Sequence, residues 1–186
     1  VKSNESGAKA RQLIEDLELA EYSDMPVRKL SGGLKRRVLV GIASAARPPV
    51  MVLDEPTTGL DIHSRHNLWS LLRRSREEGA FILLTTHSME EAETLCDRVG
   101  IIQDGRLLAL DTVTKLRASH GLQFKVTYYP DESIQEGVTL YGPDDQELAA
   151  KVRNMGVQRF SIEPTTLEDV YLAIIGETDG SDDREG

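Results

Sequence analysis

The 186-residue chain is poor in cysteine and aromatic residues: it has one Cys, one Trp and three Phe. A single cysteine, Cys96, excludes an intramolecular disulfide and suits a reducing compartment. No apolar run approaches the roughly 20 residues needed to cross a bilayer, and no signal-peptide pattern opens the sequence. Basic residues are fewer than acidic ones, with 22 Lys and Arg against 31 Asp and Glu. The resulting net charge of −9 argues against nucleic acid as a partner.

What is present is typical of a globular protein. Hydrophobic residues make up 39% of the chain and charged residues 28%. The length allows one substantial domain and a small second one. Because the chain begins at Val1, we expect it to be a piece of a longer protein.

One apolar segment ends in two adjacent carboxylates, in the sequence PVMVLDEP at 49–56. The four residues from Val50 to Leu53 are apolar without alternation, which predicts a strand buried on both faces of a parallel sheet. Ligands of such sheets bind beyond the carboxyl ends of the strands. Asp54 could therefore hold Mg²⁺, and Glu55 could orient or deprotonate an attacking water. Taken alone, such carboxylates are more often ordinary surface or turn residues.

Two further segments flank this strand. Upstream, Ser31 is a good N-cap, and Gly32 and Gly33 place backbone amides at the start of a predicted helix. A helix N-terminus of this kind can bind an anion, although a capped helix is the commoner meaning of the same residues. Downstream, His87 ends a second predicted strand after two threonines. An isolated histidine there is more often structural than catalytic.

In this order and spacing, the motifs resemble those of the ATP-binding cassette (ABC) ATPases. The sequence LSGGL at 30–34 resembles the family's signature, and 49–56 resembles its Walker B strand. TTGLD at 57–61 contains a segment that looks like the D-loop, and TTH at 85–87 looks like the strand end that carries the switch histidine. Leu34 stands where Gln is more usual in the family, and Ile62 where Pro is common.

The resemblance implies a role for each site residue. Glu55 would be the catalytic base, and His87 would contact the γ-phosphate and orient the water. Asp54 would hold Mg²⁺, and Asp61 would couple two ATPase units. Three residues would bind the ATP that is held by the opposite unit: Ser31, Gly32 and Gly33.

Part of the family's site is missing from the sequence. No G-x-x-x-x-G-K-[ST] phosphate loop occurs, and the adenine-stacking aromatic and Q-loop glutamine of the family are absent as well. In the family, all of these lie upstream of the signature. The sequence therefore predicts the C-terminal part of a cassette, which by itself would bind ATP weakly and hydrolyse it negligibly.

The predicted fold is α/β: the C-terminal part of a P-loop NTPase domain with a mostly parallel sheet, followed by a small α+β domain. We assign residues 1–117 to the partial ATPase domain and 118–176 to the small accessory domain. Residues 177–186 are acidic and rich in Gly and Ser, which predicts a disordered tail.

The subtype is indicated by residues 61–72, 87–105 and 163–172. They resemble the A subfamily of ABC proteins and related bacterial exporters. This implies an ATP-hydrolysing domain, using ATP and Mg²⁺, that powers export of a lipid-like or amphiphilic substrate. Its partners would be a second ATPase domain, arranged head to tail, and a transmembrane domain, with the cassette at the cytoplasmic face of a membrane. Two alternatives stay open: a soluble ABC ATPase outside transport, and a non-catalytic regulatory cassette.

Overall fold

The computed structural model of the chain describes residues 2–130 and 137–179. They form two compact units that divide between Ser88 and Met89. Helices alternate with short strands along both units, so the predicted α/β class is confirmed.

The first unit is built around a pair of parallel strands. Its elements are helix α1 (Lys2–Asp16), 3-10 turns at Ala20–Tyr22 and Val27–Lys29, helix α2 (Gly32–Ala45), strand β1 (Val50–Asp54), helix α3 (Ile62–Glu77) and strand β2 (Phe81–Thr85). In the β1–β2 ladder, Val50 lies opposite Phe81 and Asp54 lies opposite Thr85. Both strands therefore end at the same edge, as the parallel arrangement requires.

Helix α3 supplies much of the core of this unit. Four of its side chains are at most 3% exposed: Leu68, Trp69, Leu71 and Leu72. They recur at helical spacing, which is why the sequence predicted an inward face here. Helix α2 packs against α1, α3 and β1. The buried Arg37 side chain of α2 donates from Nη1 to the carbonyl oxygen of Leu17, 2.8 Å away, and so ties α2 to the end of α1.

The prediction that β1 is buried on both faces is wrong for the described residues. Met51 and Leu53 are buried, whereas the side chain positions that alternate with them are open: Val50 is 55% exposed and Val52 is 72% exposed. Their partners on β2 behave alike, with Phe81 63% exposed. Helices pack on only one face of the β1–β2 pair. The apolar residues on the other face are therefore exposed, although their sequence would also suit a strand buried on both faces.

The second unit contains helix α4 (Met89–Leu95), strands β3 (Val99–Gln103) and β4 (Arg106–Asp111), helix α5 (Val113–Ser119), strands β5 (Phe124–Tyr128) and β6 (Val138–Gly142), helix α6 (Asp145–Asn154), strand β7 (Phe160–Pro164) and helix α7 (Leu167–Asp179). The pair Asp104-Gly105 between two apolar runs predicts a hairpin turn, and strands β3 and β4 do pair antiparallel around it. Its turn residues Asp104 and Gly105 have φ of 50° and 74°, the left-handed backbone that Asp-Gly turns favour.

Strands β6, β5 and β7 form an antiparallel sheet in that order. Val126 of this sheet packs with Leu148 and Val152 of α6 in one apolar cluster. A second cluster joins α7 to α4, β3 and α5. Helix α5 was not predicted from the sequence, and it spans the proposed boundary at 117/118, which stays a prediction.

The ends differ from the sequence-based expectation. The helical spacing of Ala10, Leu13, Ile14 and Leu17 in the sequence predicts a helix from about residue 8 and a frayed segment before it. In the structure, helix α1 instead begins at Lys2. Helix α7 continues to Asp179, into the segment 177–186 predicted to be disordered. The rest of that tail, 180–186, lies outside the described residues. Across the ranges that the structure describes, no helix is long and apolar enough to cross a membrane.

Candidate active site at the ends of the parallel strands

Strand β2 holds the backbone of Glu55 in place. Glu55 follows directly after β1 and has a φ of 44°, a left-handed conformation that is uncommon for a residue with a side chain. Its N–H donates to the carbonyl oxygen of Thr85 at 3.0 Å and lies 3.2 Å from the Thr85 hydroxyl. Such backbone strain persists where surrounding contacts enforce it, and it concentrates at functional sites. The conformation turns the Glu55 side chain out of the strand.

The Glu55 carboxylate contacts the predicted switch histidine. Its Oε1 lies 3.2 Å from Nδ1 of His87, and its Oε2 accepts a 2.8 Å hydrogen bond from the Thr58 hydroxyl. The Thr58 hydrogen bond and then the His87 contact hold the pKa of Glu55 below its ordinary value, against partial desolvation. The structure thus brings together the two residues that the sequence assigned to catalysis, and it keeps the carboxylate ionised.

Asp54 presents an exposed carboxylate at the end of β1. Its Oδ1 accepts a hydrogen bond from the Thr85 hydroxyl, and its other carboxylate oxygen has no hydrogen-bond partner among the described residues. No group of three metal-ligating side chains occurs in the described parts of the chain. Mg²⁺ at phosphate sites needs only one or two carboxylates beside the phosphates and water, so a single exposed carboxylate fits such an ion.

Sequence reasoning missed the roles of two threonines. Thr85 contacts both Asp54 and Glu55, and Thr58 contacts Glu55. The first could have been found, because parallel strands that end in register place Thr85 beside Asp54. The contact of Thr58 with Glu55 depends on the path of the loop after Glu55, and a sequence motif gives no distances within that loop.

The signature segment forms a capped helix start. The Ser31 hydroxyl accepts a 3.2 Å hydrogen bond from the N–H of Leu34, which confirms the predicted N-cap of α2. A Cβ placed on Gly32 would meet nothing within 4 Å, whereas one on Gly33 would lie 3.2 Å from the Leu60 side chain. Gly32 therefore leaves backbone open to an approaching ligand, and Gly33 lets α2 approach the loop that carries Leu60.

An open groove of about 570 Å³ lies between the start of α2 and the loop 58–61. Its walls include two cationic side chains that are not buried, besides the signature residues: Lys35 and Arg36. Positive side chains at a helix N-terminus favour an anion such as phosphate. Arg36 also donates from Nη1 to the backbone oxygen of Asp54 at 3.3 Å, which fixes this helix against the end of β1.

Asp61, predicted to couple two ATPase units, is the N-cap of α3. Its Oδ1 accepts a hydrogen bond from the Ser64 N–H at 2.9 Å, and its Oδ2 accepts one from the Ser64 hydroxyl at 2.6 Å. These bonds from Ser64 lower the pKa of Asp61 to about 2. Its coupling role stays a prediction.

The depressed pKa makes a prediction for acid stability. Because the folded-state pKa lies below the unfolded value, ionised Asp61 stabilises the fold above about pH 4, and this contribution disappears as the pH falls toward 2. We expect the free energy of unfolding of Asp61→Asn, which keeps a good N-cap, to fall below that of the wild type at pH 5 and to converge with it near pH 2. Denaturant titrations across this range measure the difference. A difference that is constant with pH would contradict the assignment.

The predicted site residues fall into two groups. Asp54, Glu55 and His87 lie at the ends of the parallel strands, and the signature residues 31–33 line the groove. Two residues of the groove wall contact the carboxylate group: the Thr58 hydroxyl donates to Glu55, and Arg36 donates to the backbone oxygen of Asp54. The groove and the strand ends are therefore neighbours in the first unit.

Comparison with known sequences finds both a family model and curated relatives. The model described as "AAA domain, putative AbiEii toxin, Type IV TA system" matches residues 7–93. ABC transporter A family member 5 of Arabidopsis thaliana is 40% identical over 155 residues, which cover 82% of this chain and 16% of that protein. Nod factor export ATP-binding protein I of Burkholderia lata is 38% identical over 185 residues, which cover 91% of this chain and 61% of that protein.

Solved structures give the same relationship. The ATP-binding subunit of an ABC transporter superposes with a TM-score of 0.59 at 30% identity, over 63% of this chain and 49% of that one. A dimeric ATP-binding cassette in a post-hydrolysis state with ADP and Pi gives a TM-score of 0.52 at 26% identity, over 56% of this chain and 46% of that one. The chain thus spans less than two thirds of these relatives. With the motifs in place at the predicted positions, the chain belongs to the ATP-binding cassettes of ABC transporters.

Proposed function

We propose that the chain is the C-terminal part of a transport ATPase cassette and supplies the residues that activate water for ATP hydrolysis. The observation that carries this proposal is the contact between Glu55 and His87 at the end of β1, beside the exposed carboxylate of Asp54, which could bind a cation. A base, a group that reaches phosphate and a cation ligand are the parts that phosphoryl transfer to water requires.

Each residue has a separate task in this scheme. Glu55 accepts a proton from the attacking water, with its carboxylate held by Thr58 and His87. The side chain of His87 is 73% exposed, so its ring has room to turn toward a γ-phosphate while it remains next to the base. Asp54 would hold Mg²⁺, which when bound offsets charge on the phosphate oxygens.

The groove at the start of α2 would serve a different ATP molecule. Open backbone at Gly32 and the cationic side chains of Lys35 and Arg36 suit the γ-phosphate of an ATP held by a second cassette. The description of a structural relative as a dimeric cassette supports that division. We therefore propose a second ATPase domain, arranged head to tail, as a partner.

The exposed apolar face of the β1–β2 pair indicates that a further element of the complete cassette packs on it. Val50, Val52, Phe81 and Leu83 are each more than half exposed on this face. Contiguous exposed apolar side chains usually mark a contact surface. We assign this surface to the part of the cassette that carries the phosphate loop, without which hydrolysis by the chain alone would be negligible.

Export of a lipid-like or amphiphilic substrate is the finer proposal. It is supported by the A-family and Nod factor export relatives. A transmembrane domain would then be the partner that ATP binding and hydrolysis drive, and the cassette would lie at the cytoplasmic face of the membrane.

Reconstitution of the full-length protein in phospholipid vesicles tests this proposal. We expect ATP hydrolysis that requires Mg²⁺, together with ATP-dependent movement of a fluorescent phospholipid between leaflets. Glu55→Gln is the control, because it should stop both activities. Hydrolysis without movement of any amphiphile tried would favour an ATPase outside lipid transport. Absence of hydrolysis despite ATP binding would favour a regulatory cassette.

A further inference from the structure

Thr58 contacts Glu55 at both its main chain and its side chain. The Thr58 hydroxyl donates to Oε2 of Glu55 at 2.8 Å, and the Thr58 N–H donates to the Glu55 carbonyl oxygen at 3.3 Å. The family resemblance places Thr58 at the start of the segment 58–61 that looks like the D-loop, and it gives this side chain no chemical role. Its hydroxyl nevertheless lies closer to the carboxylate of Glu55, at 2.8 Å, than Nδ1 of His87 does, at 3.2 Å.

The geometry of the carboxylate explains why this contact matters. The terminal torsion of a glutamate is broad, so a single hydrogen bond leaves the carboxylate plane free to rotate. Here the two oxygens have different partners, Thr58 on Oε2 and His87 on Oε1. Two partners on separate oxygens define the plane and so the direction of the remaining lone pairs. A general base depends on that direction, because the proton must travel along it.

We propose that Thr58 is a positioning residue for ATP hydrolysis, whose hydroxyl, together with His87, fixes the carboxylate plane of Glu55. The proposal rests on the proposed function of Glu55 as the base. His87 and Thr58 each hold one oxygen, so loss of the Thr58 hydroxyl leaves a single contact and a carboxylate plane that is free to rotate. The backbone of Glu55 is fixed independently by Thr85, so the side chain torsions are what Thr58 controls.

The alternative is an ordinary hydroxyl at an exposed turn, which would affect stability slightly and catalysis not at all. Two substitutions separate these possibilities. Thr58→Ser keeps the donor, and Thr58→Val keeps the shape but removes it. Since Thr58 is exposed, both variants should fold.

The experiment measures steady-state ATP hydrolysis by the full-length protein. We expect Thr58→Val to lower kcat about tenfold with KM within twofold of the wild type, and Thr58→Ser to stay near the wild type. In the Glu55→Gln background, Thr58→Val should add nothing further.

Equal kcat for Thr58→Val and Thr58→Ser would overturn the inference, as would a change in KM alone. If Glu55→Gln itself leaves turnover intact, the proposed function fails instead, so the two failures are distinguished. Thr58→Ala replaces Thr58→Val if the latter does not fold.

Discussion

Glu55→Gln should reduce ATP turnover by the full-length protein about 100- to 10,000-fold, the range that a general base contributes. Glutamine has the same shape, and its carbonyl oxygen can still accept from Thr58, so the local structure should persist. It accepts no proton from water, which removes the chemical step alone. We therefore expect ATP to bind within a few-fold of the wild-type affinity and to remain unhydrolysed.

Glu77→Gln is the matched control for this substitution. Glu77 is an exposed carboxylate at the end of α3, so the variant changes charge equally without touching the site. Its turnover should equal that of the wild type. Wild-type turnover in Glu55→Gln as well would mean that this cassette's own site is silent and that its role is regulatory.

Gly32→Asp should abolish turnover to a similar extent, about 100-fold or more, for an electrostatic reason. A Cβ on Gly32 meets no atom within 4 Å, so the aspartate enters open space at the mouth of the groove. At a helix N-terminus a carboxylate is tolerated and even favourable for the fold. It would nevertheless occupy the position proposed for phosphate and repel it. Thermal unfolding of the variant should match the wild type while hydrolysis is lost.

Gly176→Asp supplies the comparison. Gly176 lies on α7 in the second unit, and its Cβ would also meet nothing within 4 Å. Gly176→Asp adds the same charge, so unchanged turnover in this variant would show that the effect of Gly32→Asp depends on its position in the groove. Equal losses in both variants would show that charge alone is responsible.

The order of the motifs along the chain predicted the site, because helix capping and the shared edge of parallel strands fix where its residues lie. Ser31 caps α2 as hydroxyl residues before a helix do, and the carboxylates follow a strand whose parallel partner ends at the same edge. His87 comes two residues after that partner strand. Once β1 and β2 pair in register, Glu55 and His87 lie within reach of each other.

Other features depend on packing that sequence patterns do not specify. An apolar run predicts a strand but does not say which faces are covered, and β1 proved open on the side of Val50 and Val52. The left-handed backbone of Glu55 and the contact from Thr58 arise from the course of one loop. Helix α5 is only seven residues long and has a single buried residue, Leu116, so its periodic signal is weak.

The central claim is that this chain contributes to two different ATP sites, one through Glu55 and one through its signature. A single-turnover measurement on dimers with two distinguishable copies of the full-length protein tests it. With Gly32→Asp in one copy and Glu55→Gln in the other, one site keeps both intact parts, and we expect hydrolysis of about half of the bound ATP. With both substitutions in the same copy, each site lacks one part, and we expect none. Equal hydrolysis in the two arrangements would contradict the claim.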